Sequence, residues 1–500
     1  MTQTLTMQPL SARQLTPAQM HRAIGSLLGA AIGDALGARF EFGPAGQWSA
    51  AFPVPLLVGH GEMIGGGHFG WKPGEFTDDT QMAIALAESL VACDGFDAQH
   101  TFDRFRAWAG GATDIGTRTA TALFSDRGWQ NAAEYAHNKL GDSGSNGSVM
   151  RIAPVGIAGV RWGAAKTMEI AWGQSQLTHW STNAATGAVI VAELIRRVII
   201  TGEFNDLVDP LMSDVAELMP AEDVVEYALL LDSSFDPHTF VGPSNSSALV
   251  CVAQAVWAVS TTSSYADAVA AAINLGGDTD TVAAVAGALA GALYGIQQVP
   301  VRWVTHVNGS LQRPDGSVVN YANATLHDMA RELLGLAAAT RTPTEPPAGP
   351  AVVGSARNGT SILAANLEGA TLASTDMAVV SMCITDQRFA NHPHRREVYM
   401  RDEEGSRNTA LGFAVREAVQ AVDQYLSTGR EVVVHCHGGR SRTGLILKAW
   451  HMWHHGSTHS EAHDWLEARW HLYATYNQTF MDFLDNEWPA VIAAQKAGIK

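Results

Sequence analysis

The stretch NLGGDTDTVAAVAGALAGALYG, residues 274–295, joins two aspartates and two threonines to a run of alanine, glycine and valine. Gly287, Gly291 and Gly295 fall at every fourth position, so in a helix they share one stripe. The same spacing recurs in IGSLLGAAIGDALGARFEF, residues 24–42, at Gly25, Gly29, Gly33 and Gly37. An interior helical glycine costs about 1 kcal/mol relative to alanine, so a whole stripe needs compensation. Close approach of two helix backbones supplies it. The mouth of the first run, Asp278-Thr279-Asp280-Thr281, raises a separate question. One capping side chain opens a helix, and here there are two carboxylates.

A second stretch, GEFTDDTQMAIALAESL at 74–90, repeats the arrangement with Thr77, Asp78, Asp79 and Thr80 before an amphipathic run. Either stretch alone is explained by capping and the helix dipole. Doubled acids at both mouths favour a metal site, since clustered carboxylates without a cation repel one another and hold their protons. Oxygen-only donors suit hard cations such as Mg2+ or Mn2+, and four carboxylates can share two of them.

Around these mouths the periodicity is helical. Ile24, Leu27, Leu28, Ala31 and Ile32 follow it, as do Met82, Leu86 and Leu90, and residues 183–200 and 245–259 read alike. This predicts an all-α domain over 20–340, after a flexible N-terminus at 1–19. RTPTEPPAGP, residues 341–350, marks a linker spanning 341–354. Beyond it, short β-branched runs at 377–383 and 431–436 alternate with helical patterns, which predicts a small α/β domain over 355–500. A length of 500 residues agrees with more than one domain.

The net charge of −17 argues against stable nucleic-acid or anionic-membrane binding. The four cysteines lack CxxC spacing, and the N-terminus lacks a signal-peptide pattern, so a soluble protein of the reducing cytoplasm is expected.

Four blocks, GSLLGAAIGDALGARFEF (25–42), GEFTDDTQMAIAL (74–86), GSNGSVMRIAPVGI (144–157) and the stretch at 274–295, resemble the signature blocks of the ADP-ribosylglycohydrolase family, in the family's order. The resemblance implies a binuclear Mg2+ or Mn2+ centre held by Thr77, Asp78, Asp79, Asp278, Asp280 and Thr281. It implies hydrolysis of the glycosidic bond to an ADP-ribosyl group, with Asp78 or Asp79 assisting the attacking water. Glu41, Asp114, Gly116, Thr117, Gly147, Ser148 and His179 would contact the substrate. Asn146, Met150 and Arg151 flank that block, with Arg151 equally suited to a structural role. After His179 the sequence departs from the family, with Trp180-Ser181-Thr182 in place of the usual His-Pro, on the side of the acceptor.

The other chemical signal is EVVVHCHGGRSRTGLILKAW, residues 431–450. Five residues separate Cys436 from Arg442. In such a loop, successive N–H groups and the arginine fork bind phosphate oxygens, and their positive field favours the reactive thiolate. Thr443 is placed to help the sulfur depart and to cap the following helix. The stretch resembles the HCxxGxxR[ST] signature of cysteine-dependent tyrosine and dual-specificity phosphatases. That implies phosphate contacts from His437, Gly438, Gly439, Arg440 and Ser441 and no metal. Asp402 would be the general acid, crowded by Glu403 and Glu404, and Asn477 and Gln478 would support the loop.

The expectation is therefore a bifunctional hydrolase acting on an ADP-ribosylated protein or small molecule and on a phosphorylated substrate. Two chemistries on one chain suggest a shared pathway. The rival reading is a module that senses ADP-ribose or an NAD-like metabolite and controls an attached phosphatase.

Overall fold

The computed structural model describes residues 7–141, 144–240, 242–338 and 345–496. Parts of the expected N-terminal stretch (1–6) and linker (341–344) lie outside the described residues. The chain forms two compact units. The first comprises Met1–Val54, Glu62–Val299 and His306–Ala339; the second comprises Pro55–Gly61, Pro300–Thr305 and Thr340–Lys500.

The first unit is helical. The elements that build its site are α1 (Pro17–Gly37), α2 (Asp78–Ala92), α3 (Thr117–Leu123), α4 (Thr182–Thr201) and α5 (Thr279–Tyr294). Helices α1 and α5 run antiparallel with their glycine stripes in contact. A Cβ placed on Gly25, Gly29, Gly33 or Gly37 would lie 2.0–2.4 Å from the carbonyl oxygens of Gly291, Gly287, Ala283 and Thr279 respectively. Real carbon atoms do not approach so closely, so the backbones meet only because the side chains are missing. Tyr265 Oη donates to Gly29 O (2.8 Å), and Thr279 Oγ1 donates to Gly37 O (2.8 Å). This register puts the end of α1 against the start of α5.

One element departs from the all-α expectation. Strands β1 (Asn308–Gln312) and β2 (Val318–Ala322) form an antiparallel hairpin. Its turn, Pro314-Asp315-Gly316, has Gly316 at φ +82° and Asp315 accepting from Ser317 N. The turn chemistry is legible in sequence, but the strands are too short and polar to show alternation.

The second unit is a five-stranded sheet with helices. Its strands are β3 (Ala351–Ser355), β4 (Ser361–Ala365), β5 (Ala378–Ser381), β6 (Arg395–Glu397) and β7 (Val432–His435). The order is β3-β4-β7-β5-β6, with β3 antiparallel to β4 and every other pair parallel. Strand β3 begins within the stretch read as linker, because Ala351 and Val352 pair with Ala364 and Leu363 of β4. All four residues of β7 are buried, as expected for a strand covered on both faces. Helices α6 (Leu411–Ser427), α7 (Ser441–His455) and α8 (Gln478–Asn486) complete the parts that matter for the site.

Two earlier segments belong to this unit through specific bonds. The buried Arg396 guanidinium donates to Leu57 O (2.7 Å) and Gly59 O (2.9 Å). Val301 N donates to Glu417 (3.1 Å), and Glu397 N donates to Thr305 Oγ1 (2.9 Å). Among the described residues no helix is long and apolar enough to cross a membrane.

The glycine contact sets the first prediction. Gly291→Ala places a methyl group 2.0 Å from Gly25 O. Helix propensity favours alanine by about 1 kcal/mol. Overpacking costs typically about 1–3 kcal/mol and here meets rigid backbone. Chemical denaturation should show net destabilisation; a gain in stability would mean the helices do not touch.

Candidate active sites

The acid cluster is assembled from helix ends. Thr77 caps α2, its hydroxyl accepting from Asp79 N (3.3 Å). A second cap comes from α1, where the fully buried Asp34 carboxylate accepts from Thr77 N (3.0 Å), Thr80 N (3.1 Å) and the Thr80 hydroxyl. With the helix start satisfied twice, Asp78 and Asp79 are released from capping. At the other mouth, Asp278 occupies the cap position of α5 but makes no side-chain cap bond. Its carboxylate instead accepts from Asn146 Nδ2 (3.0 Å), while its N–H donates to Asn245 Oδ1 (2.9 Å). Asp280 accepts from Thr281 N (3.0 Å). Thr281 Oγ1 lies 3.4 Å from Asp79 Oδ1 and donates toward it, so the two mouths meet.

Glu41 and Asp114, expected at the substrate, converge with Asp280; each offers one oxygen, all within 4.8 Å of one another. Burial is the leading reason these acids hold their protons; repulsion adds to it except at Asp34, where the bonds from Thr77 and Thr80 oppose it. Glu41 is pushed up to about 8, and Asp34 and Asp114 to about 6. Asp78, Asp79 and Asp280 are raised well above the carboxylate range. Asp79 Oδ2 and Glu41 Oε2 are buried without a hydrogen-bond partner. An all-oxygen donor set with repelling charges and orphaned buried oxygens fits hard divalent cations.

The remaining residues line this cluster unevenly. Gly116 is the cap of the short helix α3, and both Gly116 and Thr117 are exposed. Gly147 lacks a side chain where the His179 ring passes; a Cβ there would be 3.0 Å from His179 Cε1 and Nε2. Ser148 Oγ accepts from Ser175 Oγ (2.8 Å). His179, buried before α4, pairs through Nδ1 with Thr178 Oγ1 (2.8 Å), and burial with the nearby Arg151 and Arg118 keeps it neutral. Arg151 is structural: it bonds Gln174 and Thr178 and lies over the Phe105 ring.

In the second unit, the loop after β7 lies at the carboxyl end of the central strand, where open α/β sheets bind ligands. Cys436 is 2% exposed. Gly439 has φ +68°, and a Cβ on it would strike Ala365 O at 2.9 Å; its carbonyl accepts from Trp470 Nε1 (2.6 Å). Arg442 Nη1 donates to Met382 O (2.8 Å) and Met400 O (3.1 Å). Burial would lower the Arg442 pKa, but Cys436, Cys383 and Asp402 carry it above its ordinary value. Arg442 Nε, Ser441 Oγ and Thr443 Oγ1 are buried without hydrogen-bond partners, as an anion cradle requires.

Thr443 does not cap α7. That helix opens at Ser441, so Thr443 falls inside the first turn. The His437 carbonyl is taken by Leu367 N (3.1 Å), and the Arg440 side chain forks onto Glu345 (2.7 and 2.8 Å) beside Gly438. Gly438 leaves room for that fork, since a Cβ would lie 2.6 Å from Arg440 Nη1. His435 holds the strands together through Ser381 Oγ (2.7 Å), and burial keeps it neutral, down to about 4.

The geometry separates the three crowded acids. Asp402 lies 3.7 Å from Arg442 Nε, whereas Glu403 pairs with Arg401 and Arg407, and Glu404 accepts from Gln478 N (3.1 Å). Asn477 Nδ2 donates to Asp402 (3.2 Å), and Tyr476 Oη donates to the same carboxylate (2.7 Å). Sequence reasoning missed Tyr476, Asp34 and Asn245. The first two were visible as a polar residue beside Asn477 and a lone aspartate in a glycine-striped helix; Asn245 carried no signal.

A helical unit with paired acids at two helix mouths, joined to a C-x5-R loop on a mostly parallel sheet, defines a hydrolase with two centres. The ADP-ribosylglycohydrolase model matches residues 15–343, and the dual specificity phosphatase catalytic domain model matches 368–485. The chain belongs to the ADP-ribosylglycohydrolase family and carries a dual-specificity phosphatase domain. It is 32% identical to the ADP-ribosylarginine hydrolase Tri1 of Pseudomonas putida, over 59% of this chain and 76% of the relative. It is 28% identical to the ADP-ribosyl-[dinitrogen reductase] glycohydrolase of Rhodospirillum rubrum, over 59% and 94%. It is 27% identical to the ADP-ribosylhydrolase ARH3 of Danio rerio, over 60% and 90%.

The raised carboxylates set a pH dependence. An unfolded carboxyl releases its proton near pH 4, whereas Asp34, Asp114 and Glu41 hold theirs to about 6, 6 and 8. Their stabilisation is complete below the unfolded value and is lost as pH rises through the folded ones. In chelator, the melting temperature should fall between pH 5 and 9, and Glu41→Gln should flatten the upper part of that fall. A flat wild-type profile would contradict the burial of these acids.

Proposed function

We propose that the first unit hydrolyses the glycosidic bond of an ADP-ribosyl group with two divalent cations, Mg2+ or Mn2+. The convergence of acids with buried, unpartnered oxygens on Asp79 and Glu41 carries this reading. Thr77, Asp78, Asp79, Asp278, Asp280 and Thr281 would hold the cations. When bound, these supply positive charge beside the ribose hydroxyls. Asn146 and Asn245 fix Asp278 from both sides. Asp78 or Asp79 takes the proton of the attacking water as positive charge develops at the anomeric carbon. Glu41 and Asp114 face the ribose, and Gly116, Thr117, Gly147 and Ser148 offer backbone groups to the diphosphate. Neutral His179 shapes the wall behind Gly147. The names of the two bacterial relatives point to ADP-ribosylated proteins as substrates, with arginine as one acceptor.

In the second unit the Cys436 thiolate attacks phosphorus and the ester P–O bond breaks, with Asp402 giving its proton to the leaving oxygen. Water then cleaves the P–S bond, Asp402 taking its proton back, while the Thr443 hydroxyl donates to the departing sulfur. The loop amides from His437 to Ser441 and the Arg442 fork hold the phosphate oxygens. No metal takes part. The four free cysteines, one of them this nucleophile, suit a reducing compartment such as the cytoplasm.

With Mn2+ or Mg2+, the full chain should release free ADP-ribose from an ADP-ribosylated peptide, and Asp278→Ala or chelator should abolish release. No turnover on arginine-, serine- or nucleic-acid-linked ADP-ribose would end the glycohydrolase reading. Aryl phosphate hydrolysis should persist in chelator and vanish in Cys436→Ser. Asp402→Asn should lower kcat about 10²–10⁴-fold, and unchanged rates would remove Asp402 from the mechanism.

A further inference from the structure

The segment that carries Asp402 is bound by four successive residues at the start of α8. Tyr476 Oη donates to Asp402 Oδ2 (2.7 Å), and Asn477 Nδ2 donates to Asp402 Oδ1 (3.2 Å). Gln478 N donates to Glu404 (3.1 Å), and Gly405 N donates to Thr479 Oγ1 (2.8 Å). Asn477 is itself held. As the cap of α8 its Oδ1 accepts from Phe480 N (3.3 Å), which fixes the buried amide with its N–H groups facing Asp402. Tyr476 differs from its neighbour. More than half exposed, it adds little to the core, yet its hydroxyl reaches back to a carboxylate.

That carboxylate has a stronger partner close by. Asp402 Oδ2 lies 3.7 Å from Arg442 Nε, too far for a hydrogen bond, and Arg442 Nε is buried without a partner. A shift of less than about 1 Å would close a charge-assisted bond of about 2.8 Å. Asp402 closed on the guanidinium would take a donor that the phosphate needs and would be drawn from the leaving oxygen. The oxygen nearest the guanidinium is the one that Tyr476 occupies. Burial first, and then the bond to Asp402, raise the Tyr476 phenol above its ordinary value, so it stays a donor. A protonated carboxyl keeps acceptor capacity, so this bond can persist while Asp402 carries the proton.

We propose that Tyr476 is a positioning residue of the phosphatase reaction. Its hydroxyl, with the capped Asn477 amide, keeps Asp402 from closing on Arg442, leaving the guanidinium to the phosphate and the carboxyl to the leaving oxygen. This rests on the phosphatase reading of the same site.

The test uses the full chain, inorganic phosphate as competitive inhibitor, and two substrates. These are p-nitrophenyl phosphate, with a good leaving group, and phenyl phosphate, with a poor one. The poor leaving group depends more strongly on a proton from Asp402. Tyr476→Phe keeps the ring and removes the hydroxyl. It should lower kcat for phenyl phosphate about tenfold and for p-nitrophenyl phosphate by a smaller factor, and should weaken inhibition by inorganic phosphate. In an Asp402→Asn background the same change should lower kcat no further, because an amide neither gives the proton nor seeks the guanidinium. Equal losses on both substrates, losses that add fully to those of Asp402→Asn, or wild-type rates would each overturn the positioning role while the phosphatase reading stands. Wild-type activity in Cys436→Ser would remove the reading and the role with it.

Discussion

Backbone pressed against backbone along α1 and α5 is the constraint on which the first unit depends. Gly25, Gly29 and Gly33 meet Gly291, Gly287 and Ala283 with no side chain between them. Glycine recurs at every fourth position, so the bonds of Tyr265 to Gly29 O and of Thr279 to Gly37 O mark which register is taken. The register in turn fixes chemistry. It brings Gly37 to Thr279, and it lets Asp34 of α1 cap α2. Three helix ends are thus located by one glycine seam, and their acids follow.

The two centres solve opposite electrostatic problems. The first gathers carboxylates in a buried place, where they hold their protons for want of a compensating positive charge. Its supporting residues, Asn146, Asn245 and Asp34, hold acids where they would otherwise move apart. The second gathers donors around a hole: loop amides, the Arg442 fork, and the hydroxyls of Ser441 and Thr443. Its supports tie the loop down from outside, Trp470 through Gly439 O and Asn477 with Tyr476 through Asp402. Burial and repulsion raise the acids of the first, whereas Arg442 Nε, Ser441 Oγ and Thr443 Oγ1 stand buried without partners in the second.

Much of this was legible in sequence, and the pattern of legibility is physical. Stripes of glycine at a spacing of four and doubled acids at helix mouths are local signals, and so is the C-x5-R loop between a buried strand and an apolar helix. Asp34 escaped notice because its partners, Thr77 and Thr80, are more than forty residues away. Asn245 and Tyr476 hid for the same reason. The β1–β2 hairpin escaped because short polar strands show little alternation, and the capping role assigned to Thr443 failed because the helix starts two residues earlier.

The second unit is woven from three separate lengths of chain. Arg396, buried at β6, finds two of its acceptors at Leu57 and Gly59, and the α6 residue Glu417 receives Val301 N. A second unit begun at residue 355 would therefore lack two of the acceptors of its buried Arg396 guanidinium and the N–H that meets Glu417. What looks in sequence like a self-contained C-terminal module thus draws acceptors for a buried arginine from residues more than three hundred positions upstream.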